Sequence, residues 1–168
     1  MLIDHANIGG SYILILVLKN VRRIRIGSLG FIRFPAGCVF YVGNAKKGLK
    51  QRVMRHIKSK AKHWHIDYLK AKARITDVIL ITDNRWDECA LSAILKKKFE
   101  MPVKKFGSSD CSCDTHLFFS PQINSSVRIL ANYLKSYEIK FELIKIDPSF
   151  SPFGFHPENL SRIDSEHA

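Results

Sequence analysis

Hydrophobic residues fall along this chain in two kinds of block. Tyr12-Ile13-Leu14-Ile15-Leu16-Val17-Leu18 is an unbroken apolar run closed by Lys19-Asn20, which predicts a buried strand. Residues 21–34 alternate bases with Ile, Leu and Phe around Gly27 and Gly30, which predicts a short exposed ribbon. Pro35-Ala36-Gly37 turns the chain into a second central strand, Cys38-Val39-Phe40-Tyr41-Val42, which Gly43 is expected to stop. The period then changes. From Lys47 to about Lys62, Leu49, Val53 and Ile57 recur at i, i+4 and i+8, the stripe of an amphipathic helix. Arg52, Arg55 and His56 share a neighbouring face at i, i+3 and i+4.

Further along, a short helix is expected over 65–69 and a third strand over 78–81. Thr82-Asp83-Asn84 offers caps for a helix carrying Ala90, Leu91, Ile94, Leu95 and Phe99, ended by Met101-Pro102. Residues 106–116 form a loop rich in Gly, Ser, Asp and Cys, followed by the apolar Leu117-Phe118-Phe119. Beyond Pro121, a helix over 127–134 and a strand over 141–146 precede a weakly specified tail that includes Pro148, Pro152, Gly154 and Pro157. Strands with helices between them predict an α+β fold: a small, mainly antiparallel central β-sheet flanked by helices. The expected organisation is a domain over 1–120 with an extension over 121–168 packed on it.

Composition narrows the class. In 168 residues, 11 Phe, 5 Tyr and 2 Trp supply enough apolar surface for one core and exclude disorder along the whole length. No apolar run approaches the ~20 residues of a membrane span, and the basic segment has no bulky aromatic stripe opposite it, so no membrane partner is expected. Met1-Leu2-Ile3-Asp4-His5 lacks a basic segment followed by an apolar one, so no secretory signal is expected. Four cysteines do not make a disulfide scaffold in a chain of this size, and the cytoplasm is the expected compartment.

Charge adds a partner. Residues 1–60 hold 12 Lys or Arg and one acid, whereas residues 61–120 hold 10 bases and 8 acids, and residues 121–168 hold 5 and 6. The excess is densest from Lys46 to Lys62. Such a concentration favours a polyanion such as nucleic acid as partner. Lys46, Lys47, Lys50 and Arg55 are its candidate contacts. A solvated basic face is the plain alternative.

Three ordered features carry the chemistry. Gly10-Ser11-Tyr12 opens the first strand. Tyr41-Val42-Gly43 closes the second and leads into the helix bearing Arg52. Glu88 stands at the start of a later apolar helix. This order resembles the GIY-YIG nuclease superfamily, and the segments His63-Trp64-His65-Ile66-Asp67-Tyr68-Leu69 and Gly107-Ser108-Ser109-Asp110-Cys111-Ser112-Cys113-Asp114-Thr115-His116-Leu117 look like those of its Uri-type endonuclease-like branch. The resemblance spans about residues 9–120. It implies a metal-dependent endonuclease that hydrolyses phosphodiester bonds, with a use in DNA repair or processing. Tyr12 and Tyr41 match the paired tyrosines, Arg52 the helix arginine, and Glu88 the single carboxylate that holds one divalent cation, Mg²⁺ or Mn²⁺. Three departures stand out: Ser11 replaces an aliphatic residue, the tyrosines are 29 residues apart, so the ribbon is an insertion, and the asparagine that some members place after the glutamate is not identifiable.

Physical chemistry fits these roles. One carboxylate holds a hard cation loosely, leaving positions for water and phosphate oxygens. Arg52 presents a planar fork to phosphate. A phenol of pKa ~10 must fall about three units to act as a base at neutral pH. Tyr41, near Lys46 and Arg52, is the expected base, Tyr12 the positioning hydroxyl, and His56 an aid to phosphate contact or proton transfer. His65 and Asp67 fit a supporting role, since a carboxylate can orient an imidazole, with a helix-surface or capping role as the more usual reading of each of these and of His56. Trp64 and Tyr68 are expected to pack against the core. A non-catalytic DNA- or RNA-binding module that keeps the fold is the alternative function. Cys111, Cys113 and His116 are candidate zinc ligands, but the Cys-x-Cys spacing without a second pair favours a loop held by local hydrogen bonds.

Overall fold

The described residues form one six-stranded antiparallel sheet with helices on both faces and a separate two-stranded ribbon. Residues 7–147 and 160–162 are described by this computed structural model. In chain order the elements are β1 (Gly10–Leu18), β2 (Arg22–Arg25), β3 (Phe31–Phe34), β4 (Gly37–Ala45), α1 (Leu49–Lys58), α2 (His65–Lys70), β5 (Arg74–Ile81), α3 (Glu88–Leu95), β6 (Leu117–Ser120), α4 (Ser126–Ser136), β7 (Glu142–Ile146) and β8 (Leu160–Arg162). The sheet runs β6-β4-β1-β5-β7-β8 with antiparallel neighbours throughout, and β2 pairs with β3 to make the ribbon. The α+β class expected from the pattern is the observed one.

β1 is apolar at every position from Ile13 to Leu18 because both faces of the sheet are covered. Tyr12, Leu14, Leu16 and Leu18 point into one core with Leu49 and Val53 of α1, Ile66 and Leu69 of α2, and Ile24 and Phe34 of the ribbon. Ile13 and Ile15 point into the other with Leu91 and Leu95 of α3 and Leu130 and Leu134 of α4. The two-residue side-chain period thus sorts one run into two cores. α4 and β7, from residues beyond 120, belong to this same sheet and core.

Several boundaries differ from expectation. β4 runs through Gly43 to Ala45, because Gly43 and Ala45 remain in register with Tyr12 and Gly10 of β1. α1 stops at Lys58 rather than near Lys62, where Lys70 Nζ donates to the carbonyls of His56 and Ser59, each at 2.8 Å. α3 starts four residues late. Asp83 accepts from the Arg85 backbone and pairs with its guanidinium, leaving Asp87 to cap the helix by accepting from Ala90 N–H at 2.8 Å. α4 is longer at both ends than 127–134. Pro148, Pro152, Gly154 and Pro157 of the expected tail lie outside the described residues, while β8 within it pairs with β7. No helix among the described residues is long and apolar enough to cross a membrane.

Candidate active site and metal centre

A cleft of about 720 Å³ opens at the end of the sheet where β1 starts and β4 finishes. Tyr12, Tyr41, Lys46, Lys47, Arg52 and Glu88 all line it, together with Trp64, His65 and residues of the 107–116 loop. Four elements distant in sequence (β1, β4, α1 and the start of α3) therefore converge on one space.

The tyrosines are held by close backbone approach. Tyr12 faces Gly43 across the β1–β4 ladder, and its ring occupies the space a Cβ at 43 would need. The Tyr41 ring stands over Gly107, whose φ of +69° also favours glycine. Burial raises both phenol pKa values above 10.0, reinforced at each by the Glu88 carboxylate and opposed by Arg52.

Their surroundings differ. Tyr12 Oη lies 2.7 Å from His56 Nε2. His56 is 1% exposed, sits behind Tyr12, and has its pKa lowered to about 3 by burial, with Lys70 adding to the effect. It is therefore neutral at physiological pH and able to accept the Tyr12 hydroxyl proton at Nε2 if its own proton is on Nδ1. Asp67 Oδ1 stands 3.9 Å from Nδ1. Asp67 also accepts from the backbone N–H groups of His63 and Trp64 at 3.0 Å each and meets Lys70 at 3.2 Å. These interactions outweigh the opposing effect of its burial and keep its pKa below 3.8. Tyr41 has no hydrogen-bonding side chain at its hydroxyl among the described residues.

Arg52 and His56 occupy one face of α1, as their spacing predicts. The Arg52 guanidinium lies 4.9 Å from the Trp64 ring centre and that of Arg55 3.8 Å from it. Arg55 is tied to Asp67 at 3.9 Å; Arg52 has no carboxylate partner among the described residues and keeps its charge for the cleft. Glu88 is the first residue of α3, its side chain 37% exposed. Burial and the neighbouring Asp87 raise its pKa, while Arg52 lowers it. Ser11, the departure in the first motif, donates to the Trp86 carbonyl at 2.7 Å and so ties β1 to the segment preceding Glu88.

Some expected neighbours are rearranged. Asp67 caps the start of α2, as its more usual reading has it, and from there it faces His56 rather than His65. His65 Nδ1 instead accepts from Gly107 N–H at 3.0 Å and clamps the loop. Trp64 is 37% exposed and forms a cleft wall instead of core, held there by the two guanidiniums. Lys50 is exposed on α1 outside the cleft.

The candidate metal-binding cluster gains a donor that spacing could not reveal. Cys89, Cys111, Cys113 and His116 offer donor atoms all within 4.8 Å of one another, a set able to hold a metal ion. The expectation of a purely hydrogen-bonded loop counted only three donors. Cys89 completes the set from α3, next to Glu88 and 22 residues before Cys111 in sequence. The thiols crowd one another: Cys89 has its pKa raised to about 12, first by a hydrogen bond with Cys113 and then by burial. A bound cation would reverse that cost. All four cysteines are free.

No curated protein and no solved structure matches the chain. A family model matches residues 11–139, which extends beyond the loop through α4 and covers most of the sheet. The chain thereby belongs to the family described as Domain of unknown function DUF123.

Proposed function

We propose that this protein is a metal-dependent endonuclease of the GIY-YIG type, hydrolysing phosphodiester bonds of nucleic acid, DNA in the first instance. One observation carries the reading: Tyr12, Tyr41, Arg52 and Glu88 line a single cleft, and these are the residues the resemblance assigns to one site. Glu88 fits a divalent cation, since it is a partly exposed carboxylate opening into that cleft with Arg52 and Asp110 near enough to affect its pKa. Mg²⁺ or Mn²⁺ held by Glu88 supplies Lewis-acid stabilisation of the leaving oxygen.

The chain's own groups do the rest. Arg52, steadied on Trp64, binds phosphate oxygens and offsets the charge that grows on them. Tyr12, rather than Tyr41, is the base-side phenol because its proton has an acceptor in place. As the attacking water gives a proton to Tyr12 Oη, the phenol proton moves to His56 Nε2. Asp67 faces the imidazolium so formed. At rest, the raised phenol and depressed imidazole keep the pair neutral, so transfer is confined to the reacting complex. Tyr41 positions water or phosphate.

Nucleic acid reaches the cleft over basic surface. Lys46 and Lys47 stand at its rim, with Lys50 beyond them on α1. On the ribbon, Arg23 and Arg33 are directly opposed, both exposed, and neither has a carboxylate partner among the described residues. Like charges opposed across strands are destabilising, and a phosphate backbone relieves them. For the Cys89, Cys111, Cys113 and His116 set, zinc is the fitting metal by donor softness.

The test is incubation of labelled single-stranded, duplex and branched DNA with the protein in Mg²⁺ or Mn²⁺. Cleavage that disappears in Glu88→Ala and Arg52→Ala supports the endonuclease. Salt-sensitive binding without cleavage in either metal identifies the non-catalytic module instead, and absence of both binding and cleavage overturns both.

A further inference from the structure

His116 has two ring nitrogens that face two different sites. Nε2 lies 3.4 Å from Cys111 Sγ, within the four-donor cluster. Nδ1 is buried and has no hydrogen-bond partner, and the side chain is only 2% exposed. The carboxylate oxygen that faces Nδ1 is Glu88 Oε2, at 3.8 Å. The cluster and the cleft are also joined through the backbone, since Cys89 of the cluster follows Glu88 at the start of α3.

A neutral imidazole that binds a metal through Nε2 carries its proton on Nδ1, and a buried N–H requires an acceptor. We propose that Glu88 is this acceptor, so that the Cys89/Cys111/Cys113/His116 metal centre and the cleft carboxylate form one linked unit. Metal at the cluster then acts on Glu88 twice. It pins the first turn of α3 through Cys89, and it draws one carboxylate oxygen toward His116 Nδ1, leaving the other directed to the cleft. His116 is a positioning residue for Glu88. Conversely, Glu88 orients the imidazole and raises its strength as a ligand, as carboxylates behind metal-bound histidines do. The competing acceptor is the Gly107 carbonyl, which lies close enough to His116 to oppose, without reversing, the lowering of its pKa by burial.

The use of Glu88 by the cleft cation rests on the endonuclease reading; the link from Glu88 to the cluster does not. The experiment therefore measures metal binding before any cleavage. Full-length protein stripped of metal is titrated with Co²⁺, followed by Zn²⁺ against a chelating dye, in wild type, Glu88→Ala and Glu88→Gln. One metal per chain with thiolate-to-cobalt absorption is expected. Glu88→Ala should weaken Zn²⁺ binding ~10–100-fold, the usual effect of losing such a partner, with Glu88→Gln between it and wild type. Mn²⁺ binding in the cleft, followed by electron paramagnetic resonance, should be at least tenfold weaker in folded Cys113→Ser protein than in zinc-loaded wild type. Zinc affinity of Glu88→Ala within twofold of wild type assigns Nδ1 to the Gly107 carbonyl and overturns the proposal, as does failure to bind stoichiometric Co²⁺ or Zn²⁺. Weakened zinc binding in Glu88→Ala, with no Mn²⁺ site and no cleavage in wild type, upholds the link and removes the endonuclease.

Discussion

Tyr12 of β1 lies directly across from Gly43 of β4, and its ring fills the volume that a side chain at 43 would claim. The tyrosine of one motif and the glycine of the other are thus one packing unit. That unit aims the Tyr12 hydroxyl at His56. A methyl group at 43 must move the ring or the strand. Gly43→Ala is expected to cost about 1–3 kcal/mol, as overpacking of a filled core does. Thermal denaturation should show it as a Tm lower by ~2–4 °C per kcal/mol, with cleavage reduced alongside. A variant as stable as wild type would mean that the ring has room to move.

The two tyrosines should separate in mutagenesis. Tyr12→Phe leaves His56 Nε2 buried without its donor, a loss of about 1–3 kcal/mol, whereas Tyr41→Phe removes a hydroxyl with no side-chain partner and should cost less. In turnover, Tyr12→Phe should lose ~10²–10⁴-fold, the range for a positioned proton acceptor, with nucleic-acid affinity within about twofold of wild type. Single-turnover cleavage and binding measured on the same variants check this. Undiminished turnover of Tyr12→Phe eliminates the relay to His56.

Acid should unfold the protein through His56. Its folded pKa of about 3 lies below its ordinary 6.5, so between these values the unfolded chain binds the proton more readily than the folded one. Stability is therefore lost as pH falls from about 6.5 toward 3, and it is unaffected by this group above that window. Asp67, with a pKa below 3.8 in the fold, adds its own loss only at the acid end. Tm measured from pH 7 to pH 4 should fall more steeply for wild type than for a folded His56→Gln variant; parallel curves would acquit His56.

Asp67 holds the site from beneath. It joins the start of α2, half-buried Lys70 and Arg55, and buried His56 in one cluster. Asp67→Ala leaves Lys70, whose side chain is 7% exposed, without its carboxylate and should cost about 3 kcal/mol, the low end for breaking a buried pair, seen as an early urea midpoint. A loss below about 1 kcal/mol would mean that the cluster relaxes to solvent.

The ribbon should contribute to affinity and leave chemistry alone. Arg23→Ala with Arg33→Ala removes two opposed charges. The slope of log affinity against log salt should shrink by about 1.8 if each arginine neutralises one duplex phosphate. Turnover at saturating substrate should hold, and Tm should stay level or rise because a like-charge pair has gone. An unchanged salt slope places nucleic acid elsewhere on the surface.

Much of this was legible in one dimension. The apolar run at 12–18 and the stripe at Leu49, Val53 and Ile57 specified β1 and α1 because side-chain period is a local property of the backbone. The order of the motifs nominated Tyr12, Tyr41, Arg52 and Glu88. Boundaries were less legible where two local solutions compete, as with Asp83 and Asp87, both able to cap α3, or Gly43, where a breaker is overridden by its ladder with β1.

The sequence by itself determined the alternating elements, the α+β class, the basic first third and the residues that merit attention. Tertiary structure alone decided that Asp67 faces His56, that Trp64 walls the cleft, and that Cys89 joins a cluster begun 22 residues later. The physical reason is that hydrophobic period and capping act over a few residues, whereas hydrogen-bond and ligand partners are set by which strands lie side by side. Those neighbours, β4 beside β1 and α3 beside the 107–116 loop, exist only once the sheet has closed its two cores.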